Sequence, residues 1–160
     1  MDLTKEKRMT DEQLRKTHFS VWVVGVLSLI WHLMGCANYI WQAFMGDDSL
    51  AAMSPAQAAI IQDRPAWATG AFAVAVFAGA VGSVFLLLRK SVALVFFVVA
   101  LLGVIVTMIP VFGIVTSGVE FSAFEKGMFL ILTPLVGAFL VWYMRVALRV
   151  GWVGGGGAVV

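Results

Sequence analysis

The sequence predicts an all-α protein, an integral-membrane four-helix antiparallel bundle. Two observations carry most of that reading. Of 160 residues, 61% are hydrophobic and 12% charged, against roughly 45–50% and about 25% in soluble domains. A soluble fold of this length could not cover so much apolar surface, so lipid must be its solvent. The apolar residues also gather into four runs, about 18–45, 65–88, 91–116 and 127–148. Each is long enough for the ~20 residues that a bilayer core requires.

The segment before the first run, 1–17, mixes Lys5, Lys7, Arg8, Arg15 and Lys16 with Asp2, Glu6, Asp11 and Glu12. It reads as a solvated cytoplasmic tail and not as a cleavable signal, because the apolar run behind it is too long for one. The first run is followed by Asp47 and Asp48, which carry the chain out of the membrane. Ser54-Pro55-Ala56-Gln57 then has the form of a helix start, with Ser as N-cap, Pro at N1 and Gln at N3. A short interfacial helix is expected there, in the first outer loop. Pro65 opens the second run, and Arg89-Lys90 separates it from the third by a tight hairpin. The segment 117–126 is expected to be a second exit loop, and 151–160 a loose glycine-rich tail.

Charge fixes an orientation. With the N-terminus inside, the inner side holds Lys5, Lys7, Arg8, Arg15, Lys16, Arg89, Lys90, Arg145 and Arg149, and the outer side only Arg64 and Lys126. This is a positive-inside distribution and places both termini in the cytoplasm. The net charge of +2 gives no footprint for nucleic acid. A single cysteine, Cys36, excludes thiolate-built zinc or iron–sulfur sites within one chain.

The first span carries the uncommon polar chemistry. At 100° per residue, Ser28, Trp31, Gly35, Asn38 and Gln42 form one stripe, and His32, Cys36, Tyr39 and Ala43 a second beside it. Polar groups facing lipid cost free energy, so the double stripe should face other helices or a cavity. His32 reads first as a neutral histidine donating to a carbonyl of a neighbouring helix. The sharper alternative is a metal, haem or pigment ligand, or a proton-relay group. Asn38 and Gln42 read as interhelical hydrogen-bond glue, or as the lining of a polar pocket that opens outward. Trp31, Tyr39 and Trp41 could stack on a flat ligand.

In the second span Ala68, Ala71, Ala75, Ala78, Gly79 and Gly82 form a continuous small-residue stripe. Such stripes let helices approach closely where lipid offers no hydrophobic drive. The stripe can serve packing within the chain or association with another helix. Pro110 and Pro134 should bend the third and fourth spans, with Thr107 and Thr133 placed to satisfy nearby backbone. No Asp, Glu, Lys or Arg lies deep in any span, so there is no evident proton- or sodium-coupling site. No triad, paired carboxylates, phosphate loop or HExxH is present either, which argues against an enzyme and against a metal centre.

Several stretches carry a family resemblance: Trp31-x-Leu33-Met34-Gly35, Pro65-x-Trp67, Ala71-Phe72-Ala73-x-Ala75-Val76-Phe77-x-Gly79-x-x-Gly82, and Leu86-Leu87-Leu88-Arg89-Lys90. The chain resembles a widespread family of small bacterial inner-membrane proteins with four spans, whose members are often labelled uncharacterised membrane protein or sugar transporter. That family often has Asn where this chain has His32. The resemblance implies the fold, a bacterial inner membrane and the possibility of transport.

Three functions are expected. The first is a non-enzymatic protein that associates with other membrane helices, as an accessory subunit or homo-oligomer, through the small-residue stripe. The second is a small-solute, sugar-like transporter or facilitator working as an oligomer, with Asn38, Tyr39 and Gln42 as its binding surface. The third is a binder of a hydrophobic cofactor or lipid, with Trp31 and His32 as contacts.

Overall fold

The computed structural model describes residues 19–154. The polar tail 1–17, His18 and the glycine-rich stretch from 155 onward lie outside the described residues. Within them, four helices are long and apolar enough to cross a membrane. Helix α1 spans Phe19–Phe44, roughly 39 Å at 1.5 Å per residue. Two short helices follow, α2 over Asp47–Ala51 and α3 over Pro55–Gln62. Helices α4 (Ala66–Leu87) and α5 (Ala93–Thr116) are the second and third long elements. The fourth begins with α6 (Ala123–Lys126), passes through a π-helical turn at Gly127–Leu132 and continues as α7 (Thr133–Arg149).

The helix-start signal at Ser54 is realised. Its Oγ accepts from the Gln57 N–H at 3.2 Å, and Pro55 occupies the first turn. Helix α2 was not expected; Asp47 and Asp48 lie in its first turn, where acidic side chains favour the helix dipole. The expected loop 117–126 is shorter than its charge suggested. Ser122 and Glu125 form a reciprocal capping box that starts α6, so the helix opens before the apolar run does.

Helix α4 packs against both α1 and α5, and α7 packs against α5. The link from α4 to α5 is a tight turn in which Arg89 takes φ 59°. The Lys90 N–H donates to the Phe85 carbonyl at 2.8 Å and the Arg89 N–H to the Leu86 carbonyl at 2.9 Å, the double closure of a left-handed helix cap. The tail expected to be loose begins with docked residues. Val153 is buried, the Gly154 N–H donates to the Arg89 carbonyl at 3.0 Å, and Arg89 Nε donates to the Trp152 carbonyl at 3.2 Å.

Glycines set how closely the long helices approach. A Cβ at Gly103 would lie 2.8 Å from the Ala71 carbonyl oxygen, so α4 and α5 meet nearly backbone to backbone. At Gly35 the same added carbon would lie 2.8 Å from a Val76 methyl of α4. The small-residue stripe is therefore used inside the chain. Ala68, Ala75, Gly79 and Gly82 are all buried, and Ala71 and Ala78 are partly so.

Two packed regions result. At the end that carries Arg89 and Lys90, hereafter the basic end, Val21, Leu86, Phe97, Leu140, Tyr143 and Met144 join all the long helices. There α1 also meets α7 through Ser20 Oγ and the Tyr143 hydroxyl, 2.8 Å apart. Towards the other end, Ala56 and Ile60 of α3 pack on Val111 and Ile114 of α5 and on Phe121. Between these regions α1 and α7 are not packed along their lengths.

Prolines act differently in the two later spans. Helix α5 runs uninterrupted through Pro110, and Thr107 Oγ1 donates to the Gly103 carbonyl at 2.8 Å. Pro134 lies two residues after the π-helical turn, and Thr133 Oγ1 donates to the Met128 carbonyl at 3.0 Å. A proline lacks the N–H that would hold the preceding turn in α register, and a π turn is one accommodation.

Candidate functional site

Helix α1 divides its polar residues between two surfaces. Ser28, His32 and Cys36 are buried, Ser28 against Ser83 and His32 against Gly79 of α4. Trp31, Gly35, Asn38 and Gln42, on the adjacent stripe, line a cavity of about 440 Å³. That volume lies within the roughly 300–1,000 Å³ of small-molecule sites. The walls come from α4 (Phe72, Ala75, Val76), α5 (Ala100, Val104, Met108) and the last span (Phe129, Thr133, Val136). His32, Phe97 and Leu140 close it towards the basic end, and Gln57, Ile61 and Arg64 stand at the opposite end.

The local cause is the splay of α1 from α7. The residues that join these helices at the basic end, Ser20, Val21, Tyr143 and Met144, have no counterpart beside Asn38. Helix α3 crosses the open end instead. It is held there by Ala56 and Ile60, and by Ser54 Oγ, which donates to Glu125 Oε1 at 2.5 Å. Glu125 also accepts from the Ser122 N–H at 2.9 Å. One carboxylate thus joins the helix over the cavity to the start of the last span.

His32 is a buried joint with one edge on the cavity. Its Nδ1 donates to the Ser28 carbonyl at 2.8 Å, one turn back on its own helix and not on a neighbour as the sequence suggested. A carbonyl only accepts, so Nδ1 carries the proton and Nε2 is the acceptor of the neutral ring. Nε2 has no partner among the described residues. Every fully buried side-chain nitrogen and oxygen among them has one, so Nε2 is not fully buried; it lies beside the Gly79 backbone of α4, and the residue as a whole lines the cavity. Beneath the ring, Ser28 Oγ and Ser83 Oγ lie 2.6 Å apart, and Ser83 donates to the Gly79 carbonyl at 2.8 Å.

Arg64 has the strongest field at the site. Its Nη2 donates to Gln42 Oε1 at 2.7 Å and its Nε to Thr69 Oγ1 at 3.2 Å. The guanidinium lies 5.1 Å from the Phe72 ring centroid, within cation–π range. Burial pulls its pKa below the ordinary arginine value, and Tyr39 acts against that shift. Arginine nevertheless stays protonated throughout the useful pH range. No carboxylate is among its partners in the described residues.

The structure therefore brings together four of the five ligand-binding candidates: Trp31, His32, Asn38 and Gln42. Asn38 is exposed on the cavity side and its amide has no partner among the described residues. Tyr39 goes elsewhere. Its ring packs against Phe72 and Phe77, with centroids 5.9 and 5.8 Å away. Trp41, which could stack on a flat ligand, also lines the cavity. Arg64 and Gln57 escaped the sequence reading as site residues, and the available signal was Pro65 fixing the turn beside Arg64. Among the described residues no group of three or more His, Cys, Asp or Glu comes together to hold a metal.

No family model, curated protein or solved structure matches the chain.

Proposed function

We propose that this is a membrane protein that binds a lipid-like or other hydrophobic molecule in the cavity between its helices. The observation that carries the reading is the cavity itself, about 440 Å³, walled mainly by apolar side chains, with Gln42, Gln57 and Arg64 towards one end and His32 at the other. A site of this form suits a ligand that is apolar along most of its length and polar at one end. The positive-inside distribution supports a cytoplasmic basic end and an outward-facing Arg64 end. Helix α3 then lies at the outer surface. The proposed setting is the bacterial inner membrane, crossed by all the long helices with both termini inside.

Association with other helices, as a subunit or homo-oligomer, was expected to use the small-residue stripe. That stripe packs within the chain: Gly79 against His32, and Ala71 and Ala75 against Gly103. The cavity is the larger feature without a partner in the chain, so ligand binding is the better-supported reading. Its test is the recovery of a bound molecule from the purified protein, and its loss when a bulky side chain fills the cavity at Val104.

A further inference from the structure

Resting on that reading of the cavity, we infer that the ligand is an amphiphile with an anionic oxygen head, carboxylate or phosphate, and that Arg64 receives the head while the apolar chain follows Trp31, Val104 and Val136 inward.

The argument begins with the donors of Arg64. A guanidinium offers five N–H groups in a planar fork. Two are used, by Gln42 and Thr69. Nη1 has no partner among the described residues and is not sealed from access. Both existing partners are neutral, so neither offsets the charge. They hold the fork in place together with the Phe72 ring beneath it. A preorganised, incompletely neutralised guanidinium favours a planar or tetrahedral oxyanion that can accept two parallel N–H bonds.

The surroundings select against other heads. Apart from Arg64, the polar side chains lining the cavity, among them Asn38, Gln42, Gln57 and Thr133, are neutral. No acidic side chain lines it, so a cationic head would meet like charge and no counterion. Along α1, Gln42 to Trp31 is eleven positions, roughly 16 Å at 1.5 Å per residue. That distance suits an extended apolar chain directed from the rim to the interior.

The test compares two probes that differ only in the head: myristate and myristyl alcohol, titrated into the detergent-solubilised protein and read by native mass spectrometry. Wild type is expected to bind myristate about tenfold or more tightly than the alcohol, the discrimination a charge-assisted pair provides. Arg64→Gln should bring the two affinities together, and Arg64→Lys, which retains the charge, should restore a preference for myristate. Acetate and inorganic phosphate alone should not compete, because most of the contact is with the chain. Equal binding of both probes to wild type would overturn the anionic head and leave the cavity reading standing. So would a preference that survives Arg64→Gln. Competition by free phosphate would make the site one for small anions and overturn the amphiphile. Binding of neither probe would overturn this inference and the cavity reading together.

Discussion

His32 occupies the space that a side chain at Gly79 would need, because its imidazole lies directly over the Gly79 backbone. The joint is steric on one side and polar on the other. Nδ1 is tied to the Ser28 carbonyl, and Ser83 links the two helices from below. Position 79 must therefore be glycine so long as position 32 is histidine. Gly79→Ala should destabilise the protein by about 1–3 kcal/mol, the usual cost of overpacking. In a His32→Ala background the same change should cost markedly less. Denaturation in mixed micelles across the double-mutant cycle measures the coupling; additive costs would separate the two residues.

Polar contacts in the same joint should matter less than its shape. Ser83→Ala removes the bond to the Gly79 carbonyl and the link to Ser28. Interhelical hydrogen bonds in membranes average about 0.6 kcal/mol, so a loss near that value is expected in the same assay. A loss comparable to that of Gly79→Ala would show that the hydroxyl pair, and not close packing, holds α1 to α4.

Two glycines of α5 should respond with opposite sign. At Gly103 an added Cβ meets the Ala71 carbonyl oxygen at 2.8 Å and the Ala75 nitrogen at 2.9 Å, both backbone atoms that cannot turn aside. At Gly113 nothing lies within 4 Å. Gly103→Ala should lower stability by about 1–3 kcal/mol. Gly113→Ala should be neutral or stabilising by up to about 1 kcal/mol through helix propensity. Thermal unfolding in one detergent ranks the pair.

The clasp over the cavity gives a dynamic prediction. Glu125 receives Ser54 from one loop and Ser122 from the other. Glu125→Ala removes both, together with the capping box, where a lost cap typically costs about 1 kcal/mol. Hydrogen exchange of the 55–62 amides should accelerate, while exchange in the 66–87 helix stays slow. Unchanged exchange in α3 would assign its position to Ala56 and Ile60 alone.

These relationships show which parts of the molecule were legible in the sequence. The long helices were read to within a few residues, because twenty-residue apolar runs have few other solutions. Helix α3 was read from the Ser54-Pro55-Gln57 signal. The start of α6 was missed although Ser122-x-x-Glu125 follows the same grammar, because its charged residues read as loop. The two polar stripes of α1 were visible, but not their separate destinations. Those depend on how α1 is splayed from α7, which is set by glycines and interlocking side chains on other helices. Arg64 was counted only as a charge. Its place at the cavity comes from the fold-back of α3, which no local pattern encodes.

The measurement closest to the central claim is native mass spectrometry of the protein purified from its own membranes, in three forms. Val104 lines the cavity, and Ile105, its neighbour on α5, is exposed on the outside of the bundle. Wild type and Ile105→Trp should carry a discrete bound mass, released by organic extraction, and Val104→Trp should lack it. A wild type that carries none, or a Val104→Trp protein that retains it, would contradict binding in this cavity.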